Sequence, residues 1–199
     1  MHLLHRQVDG TIGLERFDGD LPPYAILSHR WVDGEPTYQE VQQGTAHHKK
    51  GYQKIEFCEQ QAKKNGLAHF WVDTVCIDKQ SSAELHEAIT SFFQWYQQAE
   101  ICYVYMDDVS STGSGFQKSK WFTRGWTLQE LIAPKTVEFF TPEGHLIGTK
   151  KTLEHEISEI TGIPRDGLDP SNLLKFSADE RLTWADKRTT TRAEDKAYC

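Results

Sequence analysis

The stretch WFTRGWTLQEL, Trp121 to Leu131, places two tryptophans, one arginine and a single carboxylate, Glu130, within eleven residues. It has the rhythm of a helix start, with Trp126, Leu128 and Leu131 as candidate core positions. Glu130 is then either a solvated helix residue or a carboxylate held at the rim of a site. Three further polar groups follow short apolar runs: Ser28-His29-Arg30-Trp31, the segment Asp73 to Asp78, and Asp107-Asp108. Acids in such places also cap turns and helices, so each group alone says little. Cys76 offers a different chemistry, a thiol nucleophile with His29 as base and Asp78 as orienter, against the commoner outcome of a buried, inert cysteine.

Other chemistries lack their residues. GTKKT at Gly148 has neither the second glycine nor the spacing of a Walker loop, and no G-x-G-x-x-G or G-x-S-x-G occurs. The four cysteines, Cys58, Cys76, Cys102 and Cys199, form no C-x-x-C pair, and His47-His48 reads as part of a solvated loop, so no metal ligand set is expected. Scattered cysteines of this kind suit a reducing, cytoplasmic compartment. A formal charge of −7, with no basic run longer than Lys49-Lys50 or Lys63-Lys64, argues against nucleic acid as partner. Apolar runs stay far below the roughly 20 residues that span a bilayer, and the N-terminus MHLLHRQVDG has no signal-peptide core.

The elements that must position these residues alternate in type. YAILS (24–28), AHFWVD (68–73), ICYVYMDD (101–108) and TVEFF (136–140) are short apolar runs of the kind buried in a parallel sheet, and HLIGT is a further short strand. Between them, residues 50–65 carry Tyr52, Ile55, Cys58 and Ala62 at helical spacing with Gly66 as C-terminal cap, and 81–98 carry an apolar stripe capped by Ser81 or Ser82. The third helix is the opening stretch, ending before Pro134. Such alternation predicts an α/β fold with a parallel sheet flanked by helices. Ligands of such sheets bind outside the carboxyl ends of the strands, where the three polar groups fall. Beyond Lys151 the pattern is helical, and TTRAEDKAYC is expected to begin a last helix.

PPYAILSHRW, FWVDTVCIDKQSSAELHEAI and WFTRGWTLQELIAP resemble, in this order, the three signature blocks of the fungal HET (heterokaryon incompatibility) domain, over about Leu3 to Ile163. LTWADKRTTTRAEDKAYC resembles the segment that joins such domains to a NACHT module in fungal NLR-like proteins. The resemblance implies a domain over 1–163, a helical extension over 164–199 leading to downstream NACHT and repeat modules, and a cell-death effector role. HET domains are held to be distant relatives of TIR domains, which implies a TIR-like, flavodoxin-like sheet. Ile26-Leu27-Ser28-His29-Arg30 is similar to the end of the TIR opening strand, and Trp126-Thr127-Leu128-Gln129-Glu130-Leu131 to the TIR catalytic helix, with Thr127 in place of a cysteine.

By that carry-over Glu130 is the catalytic carboxylate of an NAD-cleaving enzyme, NAD being substrate and no cofactor being needed. Breaking the nicotinamide–ribose bond expels a neutral pyridine, so no general acid is required, and one carboxylate suffices to stabilise charge on the sugar. Trp31, Trp121 or Trp126 would stack on a ring, Arg30 or Arg124 would pair with pyrophosphate, and Asp73 or Asp78 would accept ribose hydroxyls, beside Ser28 and His29. The resemblance also implies activity on self-association. The alternative is a signalling module that acts by homotypic assembly without catalysis.

Overall fold

The computed structural model describes residues 1–191 and residue 195. Seven strands form one mixed sheet, and two compact units divide the chain, one of Met1–Leu27 with Trp31–Phe92, the other of Ser28–Arg30 with Phe93–Cys199.

In the first unit, β1 (His2–Arg6) and β2 (Ile12–Arg16) pair antiparallel as a hairpin that the sequence reading did not predict. Its turn contains Asp9-Gly10, with Gly10 at φ 86° and the Asp9 carboxylate accepting from the Thr11 amide at 2.9 Å. An Asp-Gly pair is a hairpin signal; the flanking His and Arg residues disguised it, although Leu3 and Leu4 are fully buried. β1 pairs antiparallel with β4 (His69–Trp71), and β4 lies parallel to β3 (Tyr24–His29), with Ile26 opposite Trp71. A short α1 (Tyr38–Gln42) starts in a capping box made by Thr37 and Glu40.

The two predicted helices of this part are present. α2 (Tyr52–Lys64) buries Ile55, Cys58 and Ala62, and Gly66 at φ 72° ends it in the left-handed conformation expected of a C-terminal glycine. α3 (Ser82–Gln98) is capped by the Ser81 hydroxyl, which accepts from the Glu84 amide at 3.3 Å. Phe92 of α3 meets the fully buried Trp71 edge-on, ring centroids 6.0 Å apart. Trp71 is therefore core.

In the second unit, β5 (Ile101–Tyr105) runs parallel to β6 (Val137–Phe140), and β7 (Leu146–Thr149) returns antiparallel through the turn at Gly144. α4 (Thr127–Ile132) lies between β5 and β6 in the chain. β3 contributes residues to both units, and the strand order reads β2-β1-β4-β3-β5-β6-β7. The predicted parallel strands are thus present, and the sheet as a whole is mixed because antiparallel β1, β2 and β7 flank them. Parallel strands need a long crossover, whereas tight turns such as those at Gly10 and Gly144 produce antiparallel pairs.

Beyond β7 the described residues are mainly helical, as expected. α5 (Glu154–Thr161) ends at Gly162, φ 75°; two 3-10 segments follow, then α6 (Ala178–Thr183) behind a Ser177–Glu180 capping box. The helix expected in TTRAEDKAYC lies outside the described residues, as does Cys199. Among the described residues no helix is long and apolar enough to cross a membrane, and no group of three or more His, Cys, Asp or Glu is placed to hold a metal ion.

Candidate functional site

Glu130 sits in the first turn of α4, where the helix dipole favours a negative charge, and is only 5% exposed. Its carboxylate accepts a hydrogen bond from the hydroxyl of Ser28, a fully buried residue near the carboxyl end of β3. The same hydroxyl accepts from the Trp121 indole N–H at 2.8 Å. Residues 102 and 93 positions apart in the chain are thus joined in one buried line, Trp121 to Ser28 to Glu130. Behind it, Trp121 packs edge-on against Phe122 and Phe139, with centroids 5.0 and 5.6 Å away.

The sequence reading made Trp126 the core tryptophan of this stretch. The structure gives that role to Trp121, which is fully buried; Trp126 is half-buried at the N-terminal cap of α4, its indole donating to Asp195 at 3.2 Å. The helix also starts later than the apolar spacing suggests. Residues Lys120–Thr123 form a 3-10 turn, Arg124 is extended, and Thr189 bridges to it in parallel register before α4 begins. That tertiary pairing overrides the local helical pattern. Leu128 and Leu131 are buried as expected.

Arg30 follows β3 and makes a bidentate ion pair with Asp107, at 2.9 and 2.8 Å, and a longer contact of 3.8 Å with Asp108. The Asp107 hydrogen bonds raise the guanidinium above its ordinary pKa. Asp108 accepts from the Ser119 hydroxyl at 2.6 Å and the Lys120 amide at 2.9 Å, fixing the loop that leads to Trp121. The third polar group of the sequence therefore holds Arg30 and the 119–121 turn. His29 is buried beside these residues in the chain. Arg124 enters the network through its carbonyl; among the described residues its guanidinium joins no ion pair.

In the other unit, Trp31 is 45% exposed yet held at two points. Its indole N–H donates to Asp73 at 2.7 Å, and the Lys79 ammonium lies 3.7 Å from its ring centroid. A fixed, partly exposed indole is the kind of face on which an aromatic ring stacks. Asp78 accepts from the Gln39 side chain at 2.6 Å and the Gln80 amide at 2.9 Å, which is loop-fixing work. Cys76 is buried, accepts from the Val72 amide at 3.3 Å, and burial pushes its thiol up to about 12. It has none of the thiolate character that a nucleophile at neutral pH needs.

Residues 24–118 match the family model described as heterokaryon incompatibility protein (HET). The chain carries a HET domain. The matched span begins with β3 and includes Ser28, Arg30, Trp31, Asp73 and Asp78, and it ends before Trp121 and Glu130. The whole of this chain is also 49% identical, over 212 aligned residues, to vegetative incompatibility protein HET-E-1 of Podospora anserina. It spans 16% of that relative's length. No solved structure gives a significant match.

Two residues of the buried network around α4 were missed by sequence reasoning. Arg188 donates to the Arg124 carbonyl at 2.9 Å and to the Thr127 hydroxyl at 2.7 Å. Lys150, also buried, donates to the carbonyls of Leu131 and Pro134, at 3.1 and 2.6 Å, at the far end of α4. Neither sits in a recognisable motif. The only hint is that each belongs to a basic pair close to small or apolar residues, Lys150-Lys151 after Gly148 and Lys187-Arg188 after Trp184-Ala185.

Proposed function

We propose that this HET domain is a cell-death effector of heterokaryon incompatibility that, when self-associated, cleaves NAD at the nicotinamide–ribose bond with Glu130 as its catalytic carboxylate. The observation that carries the reading is the buried hydrogen bond from Ser28 at the end of a parallel strand to Glu130 in the first turn of α4. It joins the two segments that resemble TIR features, the end of the opening strand and the catalytic helix. The strand order also supports the reading: the parallel pairs β3–β4 and β5–β6 lie in the order β4-β3-β5-β6, the 2-1-3-4 order with which flavodoxin-like sheets begin. The incompatibility role draws on the relative's name and on the family match. In this reading the domain spans 1–163, and the segment 164–199 leads toward NACHT and repeat modules.

In this reaction the C1′–N bond breaks, its electron pair leaves with neutral nicotinamide, and water adds to C1′ to give ADP-ribose and a proton. Glu130 exchanges the Ser28 hydroxyl for the ribose hydroxyls and stabilises positive charge on the sugar. Low polarity around the carboxylate strengthens that interaction. Arg30, already fixed by Asp107, presents a rigid cation to the pyrophosphate. Trp126, half-buried at the helix cap, offers a ring face.

A second reading, a signalling module acting by homotypic assembly alone, draws on Leu174 and Leu182, 92% and 64% exposed in the C-terminal helical segment. One experiment separates the two. The domain is fused to a tetramerising helix, incubated with NAD, and nicotinamide and ADP-ribose are quantified beside Glu130→Gln, while cell killing by both forms is scored. The enzyme reading expects release and killing in the wild type and neither in the folded variant. Killing that persists in Glu130→Gln without nicotinamide release would transfer the function to assembly.

A further inference from the structure

We infer that Arg188 is a positioning residue for Glu130, acting through the hydroxyl of Thr127; the inference rests on the reading of Glu130 as the reacting carboxylate. Thr127 is the first residue of α4, is buried, and places its Oγ1 within 2.7 Å of the Trp121 carbonyl and 2.8 Å of the Arg124 carbonyl, to which it donates. That oxygen still has lone pairs, and Arg188 Nη1 donates to it at 2.7 Å while also bonding the Arg124 carbonyl at 2.9 Å. Arg188 is itself buried, which makes the cation costly unless its donors are used and leaves it little freedom to move.

The segment that carries Arg188 is anchored on the same loop. Its neighbour Thr189 donates from its amide to the Thr123 carbonyl at 2.7 Å, and its carbonyl accepts from the Gly125 amide at 2.9 Å. Residues 188–189 thus lie as a strap across the loop 121–127. The strap reaches the buried line through Thr127, which stands one turn before Glu130 and whose hydroxyl bonds the carbonyl of Trp121, the residue whose indole bonds Ser28. A shift of the loop alters both ends of the contact between Ser28 and Glu130 at once. The threonine that stands in the position of a TIR cysteine has a use here, because a thiol is a weaker acceptor and donor than a hydroxyl.

The test is a double-mutant cycle in the self-associated domain, with Arg188→Ala, Thr127→Val, the pair together, and the conservative variants Arg188→Lys and Thr127→Ser. Displacement of a reacting group by an ångström can cost on the order of 100-fold in rate, so Arg188→Ala and Thr127→Val should each lower kcat by about that much with KM unchanged. Because both remove the same lock, the double variant should be little worse than either single one. Thr127→Ser should keep most of the wild-type kcat.

Multiplying losses in the double variant, full kcat in Thr127→Val, or a loss confined to thermal stability would each overturn the inference. Amide exchange at Leu128–Glu130 provides a readout that needs no turnover: it should quicken in Arg188→Ala and Thr127→Val and stay slow in Thr127→Ser. If the wild type releases no nicotinamide, the proposed reaction fails, and exchange alone then decides whether the strap holds the turn; unchanged exchange in both variants would refute it.

Discussion

Replacing Ser28 with alanine removes one hydroxyl and leaves two buried groups without the partner they share. The Trp121 indole N–H loses its acceptor at 2.8 Å, and the Glu130 carboxylate loses a donor, both in surroundings that water scarcely reaches. An unsatisfied buried neutral donor costs about 1–3 kcal/mol, and a lost hydrogen bond to a charged group about 1.5–3 kcal/mol. The two losses occur at one atom and are not independent, so Ser28→Ala should destabilise the domain by about 3–4 kcal/mol rather than by the full sum. That is a large part of the 5–15 kcal/mol typical of a domain's total stability. Urea denaturation followed by tryptophan fluorescence measures it, with an unchanged m-value as evidence that the same surface unfolds. A loss below about 1 kcal/mol would refute the reasoning, since it would mean that water replaces the hydroxyl and the line is not buried as drawn.

Three further outcomes follow from the same contacts. Burial lowers the Lys150 ammonium from 10.5 to about 8; the unfolded chain then binds more protons between those values, and stability rises with pH across about 8 to 10.5 by roughly 2.5–3 kcal/mol. Lys150→Met should lack that rise, and parallel pH profiles of the two proteins in denaturation would contradict it. Iodoacetamide at pH 7 should leave Cys76 of the native domain unlabelled by peptide mapping, because its thiol is buried and pushed up to about 12; rapid native labelling would revive it as a nucleophile. Arg30→Lys keeps the charge but cannot make the two-pronged contact with Asp107 and should cost about 1 kcal/mol, read by denaturation, with no measurable change as the contrary result.

Much of this fold is legible because its signals are local. The apolar runs 24–28, 101–108 and 136–140 correspond to the strands Tyr24–His29, Ile101–Tyr105 and Val137–Phe140, and the stripes around Ile55 and Phe92 became helices, each with its cap at the expected residue. The β1–β2 hairpin escaped because His2, His5 and Arg6 mask the buried Leu3 and Leu4, and only the Asp9-Gly10 turn marks it. Within the candidate site, Ser28 and Glu130 were found through block resemblance; nothing in their spacing, 102 residues, predicts a bond. Trp121 and Trp126 are alike in composition, and the choice between them depends on the pairing of Arg124 with Thr189, a contact 65 residues long in sequence that breaks the helix early. Arg188 and Lys150 are hydrogen-bonded to backbone carbonyls, and a carbonyl carries no sequence signature.

The central claim is that Glu130 is the carboxylate of a dinucleotide glycohydrolase. The most direct test compares initial rates of nicotinamide release from NAD by the self-associated wild type and by Glu130→Gln, with matched melting curves to show that both are folded. The account predicts release by the wild type and a loss of at least about 100-fold in the variant. Equal rates in the two proteins, or no release from a well-folded, self-associated wild type, would contradict it.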